Sequence, residues 1–385
     1  MHIYTLLLSG VIGISCSLQA IAQEKNIQEL FTKDTTKPSF FKKVTLTGVF
    51  QARYTISFTQ DVDVTGTYHP NAADEVVRNS FSIRRARLQV KAQISDRFSA
   101  STLINLAEFN GDPKGKVLEN AFISYRWNDK LNFTIGQFRP SFGLEDLYPV
   151  DIIKSLDFSN QYYSFGSNGW QSFQIGASMF GTFKNGKLPV SYAISVVNGN
   201  NRNQVTDDDN GKLATARLEL GPKETFAVGL NGGFGSVKKR GVYAAGLDVA
   251  GTIKLFDKWD IQIQTEYKRG TNHRFFYGLP DSLRTDPIRR YQMGGIYFLP
   301  NIRYNINYHK LTSIEFSVRY EYFNEDLDHN GNVRQTWMPM ISLAFLKDYG
   351  GRIQLGMQLD NYDRSVAGTK TKSSNLFVAQ VQCRL

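Results

Sequence analysis

Apolar and polar side chains alternate with a period of two over almost the whole chain after residue 42, and nothing else limits its fold as much. In the stretch 43–58, Val44, Leu46, Gly48, Phe50, Ala52, Tyr54, Ile56 and Phe58 fall on one face. Thr45, Thr47, Gln51, Arg53, Thr55 and Ser57 fall on the other, because successive side chains of a strand point to opposite sides. Trp259, Ile261, Ile263, Thr265 and Tyr267 alternate in the same way with Asp260, Gln262, Gln264, Glu266 and Lys268. Ile314, Phe316, Val318, Tyr320 and Tyr322 alternate with Glu315, Ser317, Arg319 and Glu321. No charge falls on the apolar face of these three segments.

Read through the chain, the alternation predicts sixteen strands, near 44–58, 81–94, 98–108, 117–127, 131–139, 170–183, 188–197, 212–220, 224–234, 242–255, 259–269, 290–305, 313–323, 334–346, 351–362 and 374–385. Their connections alternate between tight and long. The tight ones are 95–97, 128–130, 184–187, 221–223, 256–258, 347–350 and a stretch near 307–312, several rich in Asn, Asp and Gly, which tolerate positive φ. The long ones are 59–80, 109–116, 140–169, 198–211, 235–241, 270–289, 324–333 and 363–373. Short turns on one rim and long loops on the other describe an all-β, 16-stranded antiparallel transmembrane β-barrel, with short periplasmic turns and long extracellular loops. Pro300 and Pro339 fall inside the twelfth and fourteenth strands, where a missing N–H should break a ladder bond.

The N-terminus points to export. Residues 1–23 hold no Asp, Glu, Lys or Arg, and the apolar run 3–18 precedes Ala20-Ile21-Ala22, a small-x-small cleavage signal. The expected organisation is a signal peptide at 1–22, a polar periplasmic extension at 23–42 and a barrel at 43–385. No later stretch approaches the roughly 20 apolar residues of a membrane helix, and mean hydropathy is −0.33. A soluble sandwich would alternate too. Three features favour the outer membrane of a Gram-negative bacterium: the even strand count, Trp127, Trp259, Trp337, Tyr54 and Phe58 at strand ends on the apolar face, and the alternating terminus Phe377, Ala379, Val381, Cys383, Leu385. Of the two cysteines Cys16 lies in the signal, so no intramolecular disulfide is expected. The net charge of +10 suits anionic solutes or anionic lipid, and export argues against nucleic acid.

With the apolar faces in lipid, the polar faces line the interior, since an Arg facing lipid at mid-membrane costs about 2–4 kcal/mol. The expected lining bases are Arg53, Arg85, Arg87, Lys91, Arg126, Arg217, Lys254, Lys268, Arg319 and Arg352, against Glu219, Asp248, Asp260, Glu266, Glu315, Glu321 and Asp360. The densest basic feature is Arg84-Arg85-Ala86-Arg87-Leu88 leading to Lys91. If Ala86, Leu88, Val90 and Ala92 face lipid, then Arg85, Arg87 and Lys91 stack along the inner wall as donors for phosphate or carboxylate. The segment 140–169 is far longer than a hairpin needs and is the expected inward-folded constriction. Arg139 opens it, and it carries Glu145, Asp146, Asp151, Lys154 and Asp157, four acids to one base.

Three motifs in this order resemble the phosphate-selective porin O/P family in the form common among Bacteroidetes-like bacteria: Arg84-Arg85-Ala86-Arg87-Leu88, Leu118-Glu119-Asn120-Ala121-Phe122, and Gly136-Gln137-Phe138-Arg139-Pro140-Ser141-Phe142-Gly143-Leu144-Glu145. Asn198-Gly199 is a weaker match, and the likeness spans roughly residues 44–200. It implies a homotrimer of sixteen-stranded barrels in outer-membrane lipid and lipopolysaccharide. It also implies a third loop folded inward, and an arginine ladder in which Arg85 and Arg87 match the basic strand motif. The implied function is passive diffusion of phosphate or other small anions. The acidic loop departs from that family's strongly basic pore.

Other readings rest on less. A general or sugar-type pore would want an aromatic track, for which Tyr291, Tyr297, Phe122 and Phe138 are candidates without forming a stripe. A plugged structural barrel or an outer-membrane hydrolase is the remaining alternative. His69, His273, His309 and His329 look isolated, with no catalytic or metal partner at suitable spacing, so no cofactor and no metal are expected. Asp326-x-Asp328-x-Asn330-Gly331 copies half a calcium loop, but its twelfth position is Trp337; an Asx-rich turn is the simpler account, as it is for Asp207-Asp208-Asp209-Asn210-Gly211.

Overall fold

A computed structural model describes residues 43–385 apart from 70–75, 109–116, 186–187, 205, 222–224, 330, 347–348 and 367–368. The expected signal peptide 1–22 and extension 23–42 lie outside the described residues. So do the whole of the expected second long loop 109–116, parts of three tight turns and Asn330 of the calcium-like run. The sixteen strands are β1 (Lys43–Ser57), β2 (Asn79–Gln93), β3 (Phe98–Asn105), β4 (Leu118–Asn128), β5 (Leu131–Phe138), β6 (Gln174–Asn185), β7 (Leu188–Val197), β8 (Leu213–Leu220), β9 (Phe226–Val237), β10 (Arg240–Leu255), β11 (Trp259–Thr271), β12 (Gln292–Tyr308), β13 (Leu311–Asn324), β14 (Arg334–Ala344), β15 (Gly351–Tyr362) and β16 (Ser373–Arg384). Each pairs antiparallel with the next, and β1 closes the barrel on β16 from Val49↔Arg384 to Ser57↔Leu376. Closure leaves no unpaired edge, which strands need where no water is present to satisfy backbone groups.

The alternation sorts as the hydrocarbon demands. Leu46, Val90, Ile123, Ile135, Leu230, Leu247, Phe316, Ile341, Leu355 and Val381 are exposed on the outer surface, while Gln51, Ser124, Thr215, Asp248, Glu266, Glu315, Arg319 and Gln354 are buried inside. Aromatic side chains band both rims, with Trp127, Phe256 and Trp259 by the tight turns and Phe81, Phe234, Tyr243 and Trp337 at the other end. Among the described residues no helix is long and apolar enough to cross a membrane.

Four local features depart from plain alternation. A bulge in β2 sets Gln51 opposite Arg85 and Ala52 opposite Ile83, so Arg84 is an extra residue. The apolar face of β2 accordingly shifts from the odd positions Phe81 and Ile83 to the even positions Ala86, Leu88 and Val90, and Arg84 and Arg85 both reach the interior. A second bulge, in β4, sets Leu103 opposite Asn120 and Ile104 opposite Leu118, and turns Glu119 inward. Pro300 and Pro339 interrupt pairing toward β13 and β15 respectively. The register resumes unchanged, because Ile263↔Pro300 and Val318↔Pro339 persist on the other side of each strand. Residues 235–241, expected as a long loop, are instead strand ends joined by Lys238-Lys239, whose φ values of 47° and 66° make a tight two-residue turn without the Asn or Gly that usually supplies it.

Candidate functional site

The segment between β5 and β6 lies inside the barrel, and its side chains explain why. Phe142, Leu144, Val150, Ile152, Leu156, Phe158, Tyr162, Phe165 and Trp170 are at most 5% exposed. Polar strand faces alone would not cover them. All but Leu144 and Ile152 pack in three clusters: with Val242, Ala244, Met293 and Phe323; with Val49; and with Met338, Met340 and Val378. A short helix, α1 (Asn160–Ser167), begins at Ser159, whose hydroxyl accepts the Tyr162 N–H. Its first free N–H groups meet a wall carboxylate: Asn160 N lies 3.0 Å from Glu321 Oε2, and Gln161 N 2.9 Å from Oε1.

The loop acids find partners one by one. Glu145 accepts from the Ser159 N–H at 2.9 Å and from its hydroxyl. Asp146 accepts from Gln171 Nε2 at 2.6 Å. Asp151 pairs with Arg384 at 2.7 Å. Asp157 meets Arg84 at 2.7 Å, Arg85 at 2.8 Å and Arg53 at 3.6 Å. Lys154, the one base between Arg139 and β6, donates to the Tyr349 hydroxyl and lies 3.6 Å from Glu315.

The expected wall bases divide into four groups. Lys268, Arg319 and Arg352 point inward but are at most 1% exposed, covered by the loop. Arg319 donates to the Asp157 carbonyl at 2.5 Å and the Phe158 carbonyl at 3.1 Å; Arg352 donates to the Ile153 carbonyl at 3.2 Å; Lys268 donates to Gln171 Oε1 at 2.7 Å and pairs with Glu266 at 3.0 Å. These three anchor the loop and do not line an open path, which corrects the expectation of a water-lined row. Arg217 is buried between Asp248 at 2.6 Å and Glu219 at 3.0 Å. Arg126 pairs with Asp129 at the tight-turn rim, and Lys91 and Lys254 stand toward that same rim. Arg53 donates to the Leu156 carbonyl of the loop at 2.9 Å, and Arg85 and Arg87 remain on the side the loop leaves open.

There a cavity of about 460 Å³ separates the loop from the wall of β2–β4. Arg84, Arg85, Arg87, Arg139, Arg202 and Arg274 line it, with Glu108, Glu119, Asn105, Tyr162, Tyr163 and Phe173. Arg87 Nε lies 2.7 Å from Glu119 Oε2, and Arg202 lies 3.4 Å from the same carboxylate. The Arg139 guanidinium sits over the rings of Phe173, Phe158 and Tyr162 at 4.9, 5.6 and 5.8 Å and donates to the Tyr148 carbonyl at 3.2 Å. Stacking fixes its plane while leaving its charge at the cavity. Arg84, Glu119, Arg202 and Arg274 were absent from the expected site. The first two reach it through bulges; the other two stand on loops without periodicity. Tyr291, Tyr297, Phe122 and Phe138 are all buried and offer no aromatic track to this space.

The loop from β11 to β12 covers another part of the mouth. Its helix α2 (His273–Gly278) puts Phe276 against Tyr291 at 5.0 Å, and Ile288 joins the Phe142, Phe165 and Trp170 cluster. Arg284 donates to the carbonyls of Phe276, Tyr277 and Leu279, closing the C-terminal end of the helix.

Two histidines are not isolated as expected. His69 Nε2 lies 2.8 Å from Asp63. His329 Nδ1 lies 2.9 Å from Asp326, its Nε2 lies 3.2 Å from Asp286, and its ring stacks on Tyr291 at 4.3 Å. It thus ties the β11–β12 loop to the β13–β14 loop. The hydrogen bond that the ring donates to Asp326, aided by Asp286, raises its pKa above the usual value. A raised folded value means that the tie is fully present below the free value of about 6.5 and is lost as pH rises through the folded value. Amide exchange in residues 281–290 should therefore quicken with pH more than intrinsic chemistry dictates; an identical pH profile in His329→Gln would remove histidine from the account. Of the calcium-like acids, Asp326 is engaged by this histidine, and Asp328 lies 3.6 Å from Arg269. In the other run, Asp207 pairs with Lys212 and Asp209 accepts the Gly211 and Lys238 N–H groups.

Residues 55–227 match the family model for the phosphate-selective porins O and P. Among solved structures, the outer membrane channel DcaP of Acinetobacter baumannii superposes with a TM-score of 0.57 at 13% identity, covering 91% of this chain and 99% of that one. The anion-selective porin from Comamonas acidovorans gives 0.57 at 10% identity, covering 90% and 100%. In-vitro folded OmpT of Vibrio cholerae, in its trimer form, gives 0.52 at 12% identity, covering 89% and 99%. No curated protein matches the sequence. At these identities the superpositions speak for the fold alone. A closed sixteen-stranded barrel with its apolar face outward has the fold of the outer-membrane porins, and residues 55–227 of it match the phosphate-selective O and P family.

Proposed function

We propose that this porin lets small anions diffuse passively across the outer membrane, along the passage between its inward loop and the β2–β4 wall. One observation carries the reading: six arginines and two glutamates line the cavity there. Aligned guanidiniums replace part of an anion's hydration without any one of them holding it, so that it can leave again. Phosphate and organic carboxylates both fit that chemistry. The loop acts as the constriction, since it fills the side of the lumen facing β11–β16. A homotrimer is the expected assembly, by analogy with the trimer form of the Vibrio OmpT barrel.

A second reading, a general anion-preferring pore without phosphate selectivity, is favoured by the carboxylates set among the arginines, Glu119 against Arg87 and Asp157 against Arg84 and Arg85. Reversal potentials across planar bilayers in a KCl gradient test the function. The expected sign is chloride over potassium, and removing two positive loop charges in Arg202→Ala/Arg274→Ala should lower that preference roughly two- to threefold. Potassium preference in the unmodified protein would remove the anion reading, and absence of any conductance would make this a plugged barrel. Millimolar phosphate that blocks chloride current would favour the selective version over the general one.

A further inference from the structure

The neighbourhood of Asp157 is built differently from an ordinary ion pair. One carboxylate receives three guanidiniums: Arg84 Nε at 2.9 Å and Nη2 at 2.7 Å, Arg85 Nη2 at 2.8 Å and Arg53 Nη1 at 3.6 Å. The Tyr163 hydroxyl adds a bond of 2.5 Å and the Phe158 N–H one of 3.1 Å. Two of the guanidiniums stand side by side only because β2 bulges at Arg84, at the cost of local ladder pairing. Arg85 is itself 5% exposed, held by Gln51 Oε1 at 2.8 Å, so it cannot swing away to water. Three fixed cations this close repel one another unless an anion sits among them. Both Arg84 and Arg85 also border the cavity.

From this we infer that β1 and β2 form an anion-binding site which the chain fills with its own carboxylate, and that Asp157 is the residue that sets how strongly the passage holds a permeating anion. The inference rests on the anion-porin reading and deepens it. A tethered carboxylate competes with every solute anion for the same donors. It lowers the residence time of each and leaves the arginine wall fast and weakly selective, where a bare cluster would trap a divalent anion. The wall contributes the charge; the loop contributes a permanent competitor.

Asp157→Asn tests this with inorganic sulfate as the probe. The amide oxygen can still accept from Phe158 and from one guanidinium, so the loop keeps contacts while the site loses its charge. Sulfate should then block single-channel chloride current at a concentration at least about tenfold below that needed for the unmodified protein, a factor typical of removing one charge-assisted contact. Arg84→Ala in that background should abolish the gain. Tyr163→Phe, which keeps every charge and removes the hydroxyl's bonds to Asp157 and Arg84, should shift the block in the same direction by less. Equal sulfate sensitivity in Asp157→Asn and the unmodified barrel overturns the inference, as does a gain that survives Arg84→Ala. If Asp157→Asn fails to give a heat-modifiable barrel, an unshifted Tyr163→Phe overturns it. Potassium preference in the unmodified protein would instead remove the parent reading, so the two failures are distinguishable.

Discussion

Lys268→Met should free the inward loop from the β11 wall, weakening its seat by about 3–5 kcal/mol, the usual result of stripping one partner from a buried ion pair. Lys268 and Glu266 are both fully buried; the ammonium lies 3.0 Å from Glu266 Oε1 and 2.7 Å from Gln171 Oε1, with the Phe165 ring 5.6 Å away. Glu266 in turn accepts the Leu144 N–H at 2.8 Å, so one carboxylate joins wall cation to loop backbone. Methionine fills much of the same volume but leaves Glu266 charged and without its cation beside the acidic start of the loop. The least costly escape is for the loop to leave. Single-channel conductance should then rise, and Trp170, fully buried on the loop, should become accessible to an aqueous quencher. Lys268→Met/Glu266→Gln should recover most of the loss, because removing both charges leaves nothing uncompensated. A double variant as open and as quenchable as the single one would show that packing, and not the ion pair, holds the loop.

How much of this was legible in the sequence follows from how local each signal is. The sixteen strands and their outward faces could be read because lipid enforces a period of two, and the tight turns could be read where Asn or Asp marks them; Asn128, for instance, caps its own turn by accepting the Lys130 N–H at 2.8 Å. The Lys238-Lys239 turn carries no such mark, and from sequence it reads as a loop. The inward turn of Arg84 was present as a phase slip, odd apolar positions before it and even ones after, and a strict reading of periodicity would have demanded a bulge. Glu119 lacked even that, since Leu118, Ala121 and Ile123 fit more than one phase. The acids of the loop were a puzzle for a different reason. Asp157 meets Arg84 and Arg85 more than seventy positions away, and Glu321 caps α1 across a gap of about 160, so no spacing rule could pair them. The basic lining arises only when folding gathers Arg139, Arg202 and Arg274 beside Arg84, Arg85 and Arg87 at one cavity.

Gly143→Ala should unseat the loop as strongly as loss of Lys268, by a steric route. Gly143 has φ of +104°, a conformation that side chains rarely adopt, and its N–H donates to Asn231 Oδ1 at 2.9 Å. A methyl group there would fall inside the Glu266 carboxylate, 3.0 Å from Lys268 Nζ and 3.2 Å from Gln171 Nε2. The strained backbone alone costs about 1–3 kcal/mol, and the buried pair cannot retreat, because it is enclosed on every side. Gly66→Ala separates the two contributions. Gly66 also has positive φ, +84°, yet its added methyl would meet only Leu376 Cδ1 at 3.7 Å, an ordinary contact. That control should lose stability through strain alone and keep the unmodified conductance, whereas Gly143→Ala should lose stability and conduct more. Indistinguishable conductance in the two glycine variants would mean that the loop tolerates a displaced Glu266–Lys268 pair, and the anchoring role of that pair would fall with it.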